Sequence, residues 1–245
     1  MNVVILGASK GIGRAVTRQL AERGDRLFLL GRDVDDLQRS ARDFDLRAGA
    51  PVTAGVARCD LSEPETFEPA LDAAVLGLGE LDVVLVTAAD FASQADLEGD
   101  RDRCLHLLQV NFAGTVLFCE DARRRLLGRG GTLCVLSSVA GDRGRKPVIL
   151  YGAAKAGLSH YLEGLDHKYR SKGLRVVCVR PGFVSTSMTA GLRPPPFAGE
   201  PDAVAKDIVR AINRGSPVVY TPRVWALVML VIRWLPRFVM RRIEF

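Results

Sequence analysis

The sequence predicts an α/β domain, a doubly wound, mostly parallel seven-stranded sheet with helices on both faces. Three observations carry the prediction. Short runs of Val, Leu and Ile recur without polar alternation, as strands covered on both faces of a parallel sheet require. Each run alternates with a longer amphipathic stretch of helical period. The chain of 245 residues is near the upper size for one hydrophobic core, and no repeat or linker interrupts it.

The elements follow in order. Residues 3–6 read as a buried first strand and 11–23 as the helix after it. A second strand at 26–30 precedes a polar helix at 34–48, and a third at 52–57 precedes a helix at 65–76. The fourth strand is 81–86. Residues 101–127 read as one long helix broken near Gly114, since glycine is a weak helix former. Then come a fifth strand at 132–136, a helix at 150–172, a sixth strand at 174–179, a helix at 203–213 and a seventh strand at 217–220. The proline-rich stretch 193–199 reads as a loop beside a site. Residues 1–222 make the domain, and 223–245 a basic, apolar C-terminal tail.

Hydrophobic residues are 48% and charged residues 25% of the chain, which excludes disorder and a multi-span membrane protein. The formal charge is +6, yet residues 223–245 hold five arginines and one glutamate, leaving about +2 for the rest. No basic stripe crosses the body, so nucleic acid is not an expected partner. The five cysteines form no CxxC pair and read as reduced core residues. The three histidines lack metal-ligand spacing, and no metal site is expected. An apolar strand opens at Asn2 with no charged leader before it. The expected location is therefore cytoplasmic.

Between the first strand and first helix lies Gly7-Ala8-Ser9-Lys10-Gly11-Ile12-Gly13. Such a turn lets backbone N–H groups approach a phosphate, and the next helix aims its N-terminal dipole at the same anion. A second constellation has the parts for carbonyl reduction. Tyr151 can donate a proton, but a free phenol near pKa 10 is a poor partner at neutral pH. Lys155 lies one helical turn on, and a nearby cation is expected to lower the phenol's pKa. Ser138, just after strand five, can hydrogen-bond a carbonyl oxygen.

The GxxxGxG spacing, Cys59-Asp60-Leu61, Asn111, Ser138, Tyr151-Gly152-Ala153-Ala154-Lys155 and Pro181-Gly182 together resemble the short-chain dehydrogenase/reductase family over about residues 2–222. One departure is Val86-Thr87-Ala88-Ala89, where the family has Asn-Asn-Ala-Gly. The resemblance implies a catalytic set of Asn111, Ser138, Tyr151 and Lys155, with Asn111 holding a water in a proton relay and Lys155 also binding the nicotinamide ribose. It implies a cofactor wall of Gly7, Ser9, Lys10, Gly11, Ile12, Gly13, Arg32, Asp60, Leu61, Ala88, Pro181, Gly182, Val184 and Thr186, completed by Tyr151 and Lys155. Asp60 would bind near the adenine with Leu61 packed beside it, and Thr186 would contact the nicotinamide amide.

Relatives that prefer NAD carry an acidic residue at the end of strand two, where this chain has Arg32. Arg32 can bind a 2′-phosphate bidentately, and Lys10 sits where NADP users often have a cation. NADP(H) is thus expected in preference to NAD(H), the alternative being two solvated surface cations. Residues 185–199 would form the substrate loop. Its Met188, Leu192 and Phe197 line an apolar pocket or pack as a lid.

Gly141-Asp142-Arg143-Gly144-Arg145-Lys146, the Tyr-Gly-x-x-Lys-Ala-Gly-Leu segment and the tail resemble, more narrowly, reductases of decaprenylphosphoryl-2-keto-pentose. That implies a lipid-linked keto substrate, with Arg143, Arg145 and Lys146 as candidates for its phosphodiester. The tail's longest apolar run, 224–232, is nine residues against the roughly twenty a span needs. It fits an interfacial helix at a membrane's inner face, or a subunit interface in a homodimer or homotetramer. The rival function is a soluble reductase of small ketones or 3-oxoacyl thioesters with the tail used for assembly.

Overall fold

A computed structural model describes residues 1–243; the last two positions of the predicted tail, 244–245, lie outside the described residues. The seven strands are β1 Asn2–Leu6, β2 Arg26–Gly31, β3 Thr53–Arg58, β4 Val83–Val86, β5 Thr132–Leu136, β6 Arg175–Pro181 and β7 Val218–Thr221. They form one sheet in the order β3-β2-β1-β4-β5-β6-β7, and every pairing is parallel. The central strands β1, β4 and β5 are apolar and buried along almost their whole length, because helices cover both faces.

The helices alternate with the strands as predicted. They are α1 Gly11–Glu22, α2 Val34–Ala48, α3 Phe67–Leu78, α4 Gln94–Gly99, α5 Arg101–Leu108, α6 Thr115–Leu126, α7 Ile149–Tyr169, α8 Pro201–Arg214, α9 Val224–Trp234 and α10 Arg237–Met240. On one face, Val16, Leu20, Phe44, Ile208 and Ile212 of α1, α2 and α8 pack on Val3, Ile5 and Val177. On the other, Phe67, Phe118, Leu158 and Leu162 of α3, α6 and α7 pack on Val4, Val84 and Val135. The Phe67 and Phe118 rings meet edge to face at 5.6 Å.

Three readings change. Helix α4, capped by Ser93 accepting from the Asp96 N–H, lies in a stretch the sequence reading left without structure; six residues are too few to show a period. The long 101–127 element does not break at Gly114. It runs from α5 through one wide π turn, Gln109–Gly114, into α6. A β-carbon on Gly114 would overlap the carbonyl oxygen of Leu61, so the glycine serves close approach to the β3 loop. The tail is packed on the body: Trp225, Met229 and Ile232 of α9 are buried with Val139, and Phe183 and Tyr220 pack against them. Four of the five cysteines are buried and all are unpaired.

Candidate active site

The strand order reverses between β1 and β4, and a doubly wound sheet opens its ligand crevice at such a point, beyond the carboxyl ends of the strands. A cavity of about 960 Å³ lies there, walled by residues that follow β1 to β6. Every residue predicted for the cofactor wall lines it, from Gly7 to Thr186.

The glycine turn leaves β1 and becomes α1 at Lys10, the extended N-cap residue. Gly7 has φ +99°. A β-carbon on Gly13 would overlap the Gly7 carbonyl oxygen and the Thr87 hydroxyl. Thr87 donates to the Leu6 and Gly7 carbonyls at 3.1 and 3.0 Å. The departure at 86–89 therefore keeps a polar clamp on the turn. This cradle of bare backbone at a helix N-terminus fits a pyrophosphate.

At the end of β2, Arg32 is exposed and lines the cavity, as does Lys10. Asp33, its acidic neighbour, accepts from the Asp36 N–H at 2.9 Å and caps α2, so its carboxylate has a structural use. Asp60 is buried and accepts from the Ser62 N–H and hydroxyl at 2.9 and 2.7 Å. Burial alone would raise its pKa, but Ser62, Arg32 and Arg58 together hold it below the usual carboxylate value.

The second constellation stands on the opposite wall. Ser138, at the end of β5, accepts from the Ala140 N–H at 3.1 Å, which leaves its hydroxyl proton to donate. Tyr151 and Lys155 are one turn apart near the start of α7, and the ammonium is 5.8 Å from the phenol ring centre. Lys155 is 1% exposed and donates to the Leu136 carbonyl at 3.1 Å.

The expected lowering of the Tyr151 pKa is not what the structure shows. Burial pushes the phenol up to about 12, against a smaller downward pull from Ser138. Burial also pushes Lys155 down to about 8. Desolvation outweighs the Ser138 hydrogen bond at Tyr151 and the pull of Cys178 at Lys155.

Asn111 is placed differently from the other three. It is fully buried in the π turn, behind the cavity wall. Its amide donates to the Asp90 carbonyl at 2.7 Å, and its carbonyl oxygen accepts from the Asp90 N–H at 3.0 Å. Asp90 lines the cavity, and its Oδ2 is buried with no hydrogen-bond partner. Next to it Phe91 packs edge-on against Tyr151 at 5.3 Å. Sequence reading missed Asp90 and Phe91, because neither belongs to a spaced motif.

Met188, Leu192, Arg193 and Trp225 complete the outer wall. Of the three candidate phosphodiester cations only Arg145 lines the cavity; Arg143 donates instead to the Leu235 carbonyl at 2.8 Å. A half-buried network ties the 138–147 segment to β6 and β7. Arg180 meets Asp142 and the Tyr220 hydroxyl at 3.0 Å each, and Tyr220 donates to Asp142 at 2.7 Å. Among the described residues no cluster of His, Cys, Asp or Glu could hold a metal ion.

Fold and site together define a nucleotide-binding oxidoreductase built on a doubly wound sheet. The short chain dehydrogenase family model matches residues 1–196, and the chain belongs to that family, whose members use a nicotinamide cofactor. An uncharacterized oxidoreductase of Mycobacterium tuberculosis is 34% identical over 244 residues, 98% of this chain and 96% of that protein. Carbonyl reductase family member 4 of Danio rerio is 32% identical over 189 residues, 77% of this chain and 78% of that protein. Among solved structures, a short-chain type dehydrogenase/reductase from Mycobacterium ulcerans has a TM-score of 0.80 at 21% identity, covering 89% of this chain and 87% of that one. A point variant of actinorhodin polyketide ketoreductase with NADPH has a TM-score of 0.79 at 22% identity, covering 90% and 95%. These curated relatives are named as oxidoreductases and carbonyl reductases, and not specifically as keto-pentose reductases.

Proposed function

We propose that the protein is an NADP(H)-dependent carbonyl reductase, working reversibly with the matching alcohol, on an amphipathic or lipid-linked ketone met at a membrane surface. The observation that carries the reading is one cavity shared by the glycine cradle and by Ser138, Tyr151 and Lys155. A nicotinamide cofactor, when bound, supplies or accepts the hydride.

The chain's own residues do the rest. Ser138 hydrogen-bonds the substrate oxygen through its hydroxyl, keeps its own proton and polarises the carbonyl. Tyr151, a phenol up to about 12, keeps its proton for the developing alkoxide. Lys155 stands beside it as an ammonium below about 8, favours the phenolate left behind, and is placed to hold the nicotinamide ribose. Asn111 fixes the Asp90 backbone, and with it the Asp90–Phe91 wall against Tyr151. Lys10 and Arg32, two cations on the cavity wall, favour the cofactor with the extra 2′-phosphate. A carbonyl reductase among the relatives and a ketoreductase of like fold that binds NADPH support the reaction class. Apolar Met188, Leu192 and Trp225 on the outer wall support a greasy substrate.

The test is NADPH consumption with a panel of ketones running from small ketones and 3-oxoacyl thioesters to long-chain and prenyl-linked ones. The reading expects kcat/KM to rise with apolar length. Turnover of small ketones alone would favour the soluble reductase.

A further inference from the structure

The tail carries two apolar stripes. One, Trp225, Met229 and Ile232, is buried against the body. The other is turned outward and has no partner among the described residues: Leu230 is 55%, Trp234 82% and Phe238 63% exposed, with Leu227 and Val231 beside them. From Arg223 to Ile243 the sequence holds five arginines and no acidic residue, and all five are exposed. Arg223 lies 4.0 Å from Asp207, and Arg233 shares a small polar cavity with Glu163. Arg237, Arg241 and Arg242 have no such neighbour among the described residues. Arg143 fixes the turn between α9 and α10 by its bond to the Leu235 carbonyl, 2.8 Å, so the two helices present one shaped surface.

That surface adjoins the cavity. Trp225 reaches from α9 into the cavity wall, and its indole donates to the Phe197 carbonyl of the substrate loop at 3.1 Å. Met188 and Leu192 of that loop line the cavity and are also exposed, so they stand at its mouth.

The geometry points to the outward stripe of α9 and α10, with Arg237, Arg241 and Arg242, as a docking face for an anionic lipid bilayer beside the cavity mouth. Exposed Trp, Phe and Leu next to arginine are the composition of a helix lying in the headgroup region. Charge decides against a second copy of the chain. A two-fold contact pairs a face with itself, and would bring the arginines of two tails together with a single glutamate in each tail, Glu244, against five arginines. Among the described residues no helix is long and apolar enough to cross a membrane, so the contact is peripheral. Delivery of a lipid-soluble ketone to the cavity from the docked state rests on the proposed reductase activity; the docking itself does not.

The full-length protein is mixed with vesicles of phosphatidylcholine alone or of phosphatidylcholine with phosphatidylglycerol, and binding is followed by co-sedimentation and tryptophan emission. Binding to the anionic vesicles, weakened by salt, with a blue shift from Trp234 is expected. Arg237→Ser with Arg241→Ser should lower the partition coefficient roughly 30-fold, and Leu230→Ser with Trp234→Ser should abolish the blue shift. Circular dichroism and light scattering are run on each variant as checks on folding and mass. No binding, or equal binding to both vesicle types, overturns the proposal. So does a fall in mass of the Leu230/Trp234 variant without vesicle binding, which would make the face a subunit contact. NADPH consumption with a water-soluble ketone is measured separately, so loss of the reductase reading leaves the lipid result readable.

Discussion

Burial works against charge at Lys155. Its pKa of about 8, against an ordinary 10.5, means the folded protein binds fewer protons than the unfolded chain between those values. This group's contribution to stability therefore rises with pH across that window, by on the order of 3 kcal/mol. Tyr151, raised from 10 to about 12, acts oppositely, holding its proton when folded and losing stability from pH 10 upward. Denaturant unfolding from pH 8 to 10 should show wild type gaining on Lys155→Met; parallel curves would remove the buried ammonium from the account. For activity the same value predicts that kcat/KM for reduction falls above about pH 8 as Lys155 loses its proton. At the cofactor end, Arg32→Glu should weaken NADPH by roughly 10- to 100-fold and leave NADH unchanged or tighter, read as the ratio of the two KM values. That Ser138, Tyr151, Lys155 and the glycines line one cavity was legible, because turns and helical periods constrain their spacing. The direction of the Tyr151 shift was not, because it depends on how much protein surrounds the phenol. Asp90 and Phe91 were invisible for a related reason, since three-dimensional contact with Asn111 and Tyr151 gives them their place.

The elements were legible wherever apolar runs were continuous, as in β1, β4 and β5. They were misread where a glycine was taken as a break. Gly114 closes a π turn, a widening that often marks functional positions. It sets Asn111 toward Asp90 while bringing Leu61 close from the other side. Gly114→Ala should cost more than about 2 kcal/mol, because a methyl group there must displace backbone. It should also weaken cofactor binding through Asp60 and Leu61. Thermal unfolding with and without NADPH reads both effects, and a variant as stable as wild type would contradict the close approach. Helix α4 escaped notice because its six residues give a cap but no period.

For the molecule as a whole, the tail is the part whose meaning changed most. Its composition separated it from the reductase domain at residue 222, yet α9 packs on Phe183, Val139 and Tyr220 and puts Trp225 into the cavity wall. Deleting residues 223–245 would therefore strip a wall from the site as well as a surface, and point changes separate the two. Met229→Ala, at a fully buried position, should destabilise by about 2–5 kcal/mol and slow turnover of long-chain ketones. An unchanged midpoint in denaturant would show that the tail is not part of the cooperative unit. The net charge has also become local. Lys10 and Arg32 face the cofactor end of the cavity, and the remaining excess belongs to an exposed face beside its mouth. The account as a whole stands on proton delivery from Tyr151 to a ketone reduced at NADPH cost. Its most direct test is the ketone-dependent loss of NADPH absorbance by wild type and by Tyr151→Phe, with cofactor affinity measured on both. The account predicts steady consumption by wild type and a 10²- to 10⁴-fold lower rate in the variant at nearly unchanged NADPH affinity. Near-normal turnover in Tyr151→Phe would contradict it.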